Sequence, residues 1–148
     1  MKSKIIKYSL VTVIIVISVL IYFAFSEYNR KHVDVTEETA AFTITSEDLI
    51  TAFNADEKAA NTKYLDKIIS ISGKIKSIDK DETGIYTIAL GMLNTMSSVR
   101  CSLDSIHNQV ASSAKIGENI SIKGTCTGYN ADELLGSDVI LNRCAVIK

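Results

Sequence analysis

Three cysteines, Cys101, Cys126 and Cys144, and two histidines, His32 and His107, are the residues of this 148-residue chain best suited to nucleophilic or metal chemistry. Structural zinc sites draw their ligands from close pairs such as Cys-x-x-Cys, and no such pair occurs. A nucleophilic thiol needs a base beside it, and nothing marks His107 as one. Two roles stay open for the cysteines. Cys126 and Cys144 could form a disulfide in an oxidising compartment, or all three could be small buried hydrophobes. The Asp79-Lys80-Asp81-Glu82 run offers carboxylates, but it lacks the alternating ligand register and terminal Glu of a calcium loop. It reads as a solvated hairpin turn. No catalytic set, metal site or cofactor motif emerges, and the chain is expected not to be an enzyme.

Before any of these residues can be placed, the first segment sets the surroundings. Tyr8 to Phe25 holds 18 residues without a charge, Pro or Gly. As a helix it spans about 27 Å, close to the roughly 30 Å hydrocarbon core of a bilayer. Twelve of the 18 are Leu, Ile, Val or Phe, worth about −3 to −7 kcal/mol of insertion free energy. Lys2, Lys4 and Lys7 flank it on one side, and the excess of positive charge predicts a cytoplasmic N-terminus. Residues 1–26 therefore read as cytoplasmic terminus and single-pass transmembrane anchor, 27–45 as a polar stalk, and 46–148 as an extracytoplasmic domain. The competing reading is a signal peptide cleaved after Ser26, but the apolar stretch exceeds the usual ~7–15 residue core of such peptides.

Within the domain, Ser46 followed by Glu47 and Asp48 predicts a helix start with acids in its first turn. Leu49, Ile50, Phe53, Ala60 and Tyr64 continue at mostly helical spacing, with a break foreseen between Ala55 and Asn61. Alternation then predicts strands. Ile69, Ile71, Gly73 and Ile75 face inward on the first, Tyr86, Ile88 and Leu90 on the second, and Val99, Cys101 and Leu103 on the third. A helix is expected from Asp104 to Ala114. A fourth strand runs from Ile120 to Cys126, a loop spans Gly128–Gly136, and a fifth strand covers Val139–Ile147. Five strands with a helix between the third and fourth describe the Greek-key barrel called the OB-fold, here preceded by a helix. Gly73 is expected to let the first strand bend and serve both sides of the barrel.

OB-folds hold nucleic acid on the outer face of strands two and three with stacked aromatics and basic residues. That face is predicted to show Ile85, Thr87, Ala89, Ser98, Arg100 and Ser102, with no aromatic among them. Lys74, Lys76 and Tyr129 are the other residues able to contribute to a ligand face. Beyond residue 26 the chain has 13 basic against 17 acidic side chains, a formal −4, which opposes phosphate contacts.

Several stretches resemble the tRNA_anti-like family of bacterial OB-fold domains. They are Ala60-Asn61-Thr62-Lys63-Tyr64-Leu65-Asp66-Lys67, Ile71-Ser72-Gly73-Lys74-Ile75, Cys101, and Gly117-x-x-Ile120-x-Ile122-Lys123-Gly124-x-Cys126-x-Gly128, with Leu141-x-x-Cys144 last. Leu103 stands where the family often has an aromatic. The resemblance implies the fold and leaves the function undefined. Asn61, Lys63, Tyr64, Gly73 and Gly124 are its matching positions, and a structural role is expected for them, with Tyr64 closing the barrel end and Asn61 capping the helix exit. The resulting expectation is a membrane-anchored, non-catalytic binding module without cofactor, taking an envelope protein, peptide or glycan. The alternative is a nucleic-acid-binding OB-fold protein.

Overall fold

The computed structural model describes residues 16–19, 21–22, 35–132, 134 and 136–147. Met1–Val33 and Asp34–Lys148 are separate units. In the first, residues 16–19 and 21–22 are helical. The other residues of the Tyr8–Phe25 stretch, its lysine flank and the junction after Ser26 lie outside the described residues. No helix among the described residues is long and apolar enough to cross a membrane.

The second unit runs β1 (Phe42–Thr45), α1 (Ser46–Ala55), α2 (Glu57–Tyr64), β2 (Ile68–Lys80), β3 (Tyr86–Leu90) and β4 (Ser98–Leu103). A 3-10 turn (Ser105–His107), α3 (Asn108–Ala111), β5 (Asn119–Asp132) and β6 (Gly136–Ile147) follow. β2 pairs with β5 from Ile68 to Lys74 and with β3 from Ile75 onward. β3 pairs with β4, β4 lies parallel to β6, and β6 returns to β5. Five strands thus close into a barrel, and β2 serves both walls by changing partners just after Gly73, as its sequence predicts.

The inward alternation holds. Ile69, Ile71 and Ile75, then Ile88 and Leu90, then Val99 and Cys101, are all fully buried. Helix α1 adds Leu49, Ile50 and Phe53 to the same core. Its first turn sits on the bend of β2, where a Cβ on Gly73 would lie 2.2 Å from Ser46 Oγ. Only a residue without a side chain admits that approach. Gly73→Ala is expected to cost about 1–2 kcal/mol through overpacking. Ser46→Gly in the same chain should return part of it, read as the urea midpoint of the double variant against each single.

Several boundaries differ from the sequence reading. Phe42–Thr45, assigned to the stalk, forms β1, which pairs parallel with Ile69–Ser72. Lys123 Nζ also donates to the carbonyl oxygens of Thr36 and Glu38. The polar composition of this stretch hid it, because a four-residue edge strand buries only Phe42 and Ile44 in part. The helix N-cap is Thr45, whose Oγ1 accepts the Asp48 N–H at 3.1 Å, and Ser46 is the first helical residue. The foreseen break falls at Asp56, which caps α2 by accepting the Ala59 N–H at 2.9 Å.

The predicted Asp104–Ala114 helix shrinks to the 3-10 turn and the four residues of α3. Ile106 and Val110, its expected apolar face, are exposed, while Ala111 is buried. Asp104 caps the 3-10 turn, and Asn108 is tied to the β2–β3 hairpin through the Tyr86 N–H and the Gly84 carbonyl. These contacts outweigh a weak helical period. β2 continues through Asp79 and Lys80, and β5 and β6 extend into the expected Gly128–Gly136 loop, because pairing continues to Asp132 and Gly136.

Candidate functional site

The outer face of β3 and β4 is smaller and less available than its sequence suggests. Ala89 is buried between its cross-strand neighbours Ser77 and Arg100. Ser98 is buried too, its hydroxyl donating to Asp138 Oδ1 at 2.6 Å. Ser102 and Thr87 share a hydrogen bond at 3.3 Å. Arg100 stands 3.9 Å from Asp138 Oδ2, and its side chain is 46% exposed. At that exposure the pair contributes little to stability, yet it places a carboxylate beside the one cation of the face.

The four residues expected to form a ligand face do not come together as one. Lys76 Nζ donates to the Thr95 carbonyl and, at 3.2 Å, to the Ser97 carbonyl, clamping the β3–β4 loop. Tyr129 stacks on Phe53 with ring centroids 4.9 Å apart, and its hydroxyl donates to Asn54 Oδ1 at 2.7 Å. It ties β5 to α1. Of the four, only Lys74 has an exposed side chain whose ammonium makes no hydrogen bond or ion pair among the described residues. Lys76→Ala is expected to cost about 1–2 kcal/mol from two lost charge-assisted bonds, checked by chemical denaturation.

Lys74 belongs to a different site. A cleft of about 860 Å³ opens at the bend of β2, lined by Ser72, Gly73 and Lys74, by Asn119–Ser121 of β5, and by Val146 and Ile147 of β6. Glu47 of α1, Met92, Val110, Ala114 and Glu118 also line it. Both carboxylates have donors: Glu47 takes the Ser46 hydroxyl at 3.0 Å and Glu118 the Lys115 N–H at 3.2 Å. The arrangement offers one uncommitted ammonium, several hydroxyl and amide groups, and apolar walls without an aromatic. Sequence reasoning missed it because its residues come from β2, β5, β6, α1 and the α3 region.

Of the two roles left open for the cysteines, the structure has the second. All three thiols are free and buried. Cys126 lies opposite Leu141, and Cys144 follows a register shift further along β6, so the two are not direct cross-strand partners. The thiol beside Cys144 is Cys101, and burial, with that neighbour second, pushes the Cys144 thiol well above its ordinary value. A buried thiol held protonated is a poor nucleophile. No group of three or more His, Cys, Asp or Glu side chains able to hold a metal occurs among the described residues. Asp81, in the acidic run, accepts the Thr83 hydroxyl and the Thr83 and Ile85 N–H groups. The Thr83 hydroxyl is the main cause holding its carboxyl below the ordinary value.

The family-like residues are structural in placement. Tyr64 is buried, with Phe42 edge-on at 5.2 Å and Phe53 at 6.2 Å. Lys63 Nζ lies 4.9 Å from the Tyr64 ring centroid and 5.5 Å from that of Phe42, within cation–π range. Asn61 closes the helix end through its backbone carbonyl, which accepts the Leu65 N–H; its side chain instead reaches back to Glu57 at 3.4 Å. Gly124 makes room for Cys144: a Cβ there would stand 2.4 Å from Sγ.

A closed five-stranded barrel with this connectivity, and a helix packed into its core, defines an OB-fold domain. The chain belongs to the tRNA_anti-like family, whose model matches residues 1–145. Among solved structures it is similar to a lipoprotein from Klebsiella pneumoniae, provisionally named as nucleic acid-binding, at 17% identity and TM-score 0.56, with 71% of this chain and 91% of that one covered. It is also similar to the Stn1-ten1 complex of S. pombe, at 20% identity, TM-score 0.37 and 55% and 58% coverage. Asparaginyl-tRNA synthetase from Pyrococcus horikoshii matches at 13% identity and TM-score 0.40, covering 58% and 21%. No curated protein matches the sequence.

Proposed function

We propose that the chain is a single-pass membrane protein whose OB-fold domain lies outside the cytoplasm and acts as a non-catalytic binding module for an envelope protein, peptide or glycan. The observation that carries the binding role is the cleft at the bend of β2, where Lys74 is uncommitted while the cation of the β3–β4 face stands beside Asp138. The anchor reading is supported by Tyr8–Phe25 and by the exposure of Val16, Ile17, Val19, Ile21 and Tyr22. At 100° per residue these five point to every side of a helix, the pattern of a span rather than of a one-sided surface helix.

A photoreactive side chain at Ser121 in the cleft, compared with one at Thr87 on the β3–β4 face, tests the site. Crosslinks in intact cells are expected from position 121, should weaken severalfold with Lys74→Glu, and should be absent from position 87. The second reading, nucleic acid on the β3–β4 face, is favoured by one observation, the exposed guanidinium of Arg100. Filter binding of the detergent-solubilised full chain to single strands at low salt decides it. No salt-dependent retention is expected, whereas retention abolished by Arg100→Ala would establish phosphate contacts.

A further inference from the structure

Among the described residues, the exposed large apolar side chains of the barrel unit all lie outside its strands, and three of them crowd one loop. Met92, Leu93 and Met96 are 50%, 57% and 67% exposed. They are not exposed for want of order. The Gly91 N–H donates to the Lys74 carbonyl, Thr95 folds back onto the Met92 carbonyl through both its N–H and its hydroxyl, and Lys76 holds the Thr95 and Ser97 carbonyls. Across the base, Ser97 Oγ accepts the Ser137 N–H at 3.0 Å. These bonds hold the backbone carbonyls of Met92, Thr95 and Ser97 and the Thr95 and Ser97 hydroxyls against the barrel, and Met92, Leu93 and Met96, with Asn94 among them, face water. A preformed apolar projection of this kind marks an interaction surface.

We propose that the loop from Gly91 to Ser97 docks on the surface of the lipid bilayer that anchors the chain. The inference rests on the anchor reading above. Only seven residues, 27–33, separate residues 1–26 from the barrel unit, a reach of about 24 Å fully extended. The unit itself has a radius of gyration of about 13 Å for its size. Bilayer is therefore always within reach, and a tethered contact needs little affinity of its own because its effective concentration is high. The loop chemistry suits that occupant. No carboxylate occurs from Ile85 to Leu103, so nothing on the loop repels anionic head groups. At the neighbouring β5–β6 tip, Leu134 is 83% exposed, and Asp132 turns its carboxylate back onto the Leu134 N–H at 2.8 Å. Met92 also lines the cleft, so docking would bring the mouth of the cleft close to the lipid surface.

The full chain provides its own test, since its three native thiols are buried and a single introduced cysteine can be labelled selectively. Leu93→Cys and, separately, Met96→Cys are labelled with an environment-sensitive fluorophore, with Glu82→Cys on the β2–β3 turn as reference. The labelled chains are reconstituted into phosphatidylcholine–phosphatidylglycerol vesicles with spin-labelled acyl chains. Positions 93 and 96 are expected to shift to the blue and lose at least half their emission, while position 82 stays unquenched. Protection of the native thiols reports that each variant is folded. A chain that floats with the vesicles but leaves positions 93 and 96 as unquenched as 82 overturns the docking and spares the anchor. A chain that does not float overturns both.

Discussion

Gly124→Ala is expected to unfold the domain at markedly lower denaturant, with a loss of about 3 kcal/mol. The added methyl would fall 2.4 Å from Cys144 Sγ and 3.3 Å from the Asn142 carbonyl oxygen. Inserting a methyl into a filled core usually costs about 1–3 kcal/mol, and two features put this site at the upper end. Cys144 is fully buried, so its sulfur has no solvent to swing into. The strand that carries it is paired with both β4 and β5, so the backbone has no free edge to yield. Cys144→Ala removes the sulfur and leaves the Cβ of position 124 facing backbone at 3.3–3.4 Å. The double variant should therefore be more stable than Gly124→Ala alone, although Cys144→Ala by itself is destabilising. A urea titration of the four chains measures this coupling. Additive losses would show that the sulfur is not what the glycine accommodates.

The second large effect concerns the thiols. Burial is the main cause that pushes the Cys126 thiol up to about 11 from 9.0, with the Asp66 carboxylate adding to it and the Gly128 N–H opposing it. At pH 8 a shift of that size lowers the reactive thiolate fraction about 100-fold, and steric closure lowers the rate further. Titration of the full chain with an aromatic disulfide is expected to find no rapidly reacting thiol among the described three in the native state, and all three after denaturation. Rapid native reaction of one equivalent would place that cysteine at the surface. The same shift predicts a pH dependence. A thiol that binds its proton more tightly in the folded state contributes stability fully present below about pH 9, which is lost as pH rises toward 11. Cys126→Val should flatten the decline by about 2 kcal/mol across that window.

Much of the barrel was readable in one dimension because a strand with one buried face writes that face into every second residue. Alternation alone places Ile69, Ile71, Ile75, Ile88, Leu90, Val99 and Cys101 inward, and all seven are buried. Gly73 was legible as the bend because a glycine inside an alternating run has no packing role of its own. The misplaced pieces share a different physics. β1 alternates Phe42 and Ile44 with Thr43 and Thr45, but four residues are too few to mark a strand, and it exists because β2 offers it an open edge. The helix before β5 looked longer than it is, because the i, i+4 pair Ile106 and Val110 suggested a buried face that no wall was there to cover.

The candidate site divides along the same line. Local order specified which residues were basic, aromatic or thiol-bearing, and their rough position on each strand. It could not say what each would meet, since the partners of Lys76, Arg100 and Tyr129 lie between 19 and 75 residues away in the chain. Apolar alternation along β2 to β6, with a glycine to bend the first long strand, determined the barrel, because burying every second side chain leaves five such strands no cheaper solution. Closure alone decided that the cation of the expected face would stand beside a carboxylate, that Cys144 would meet Cys101, and that a cleft would open beside Lys74. Those contacts join segments that only a completed barrel brings within ångströms of one another.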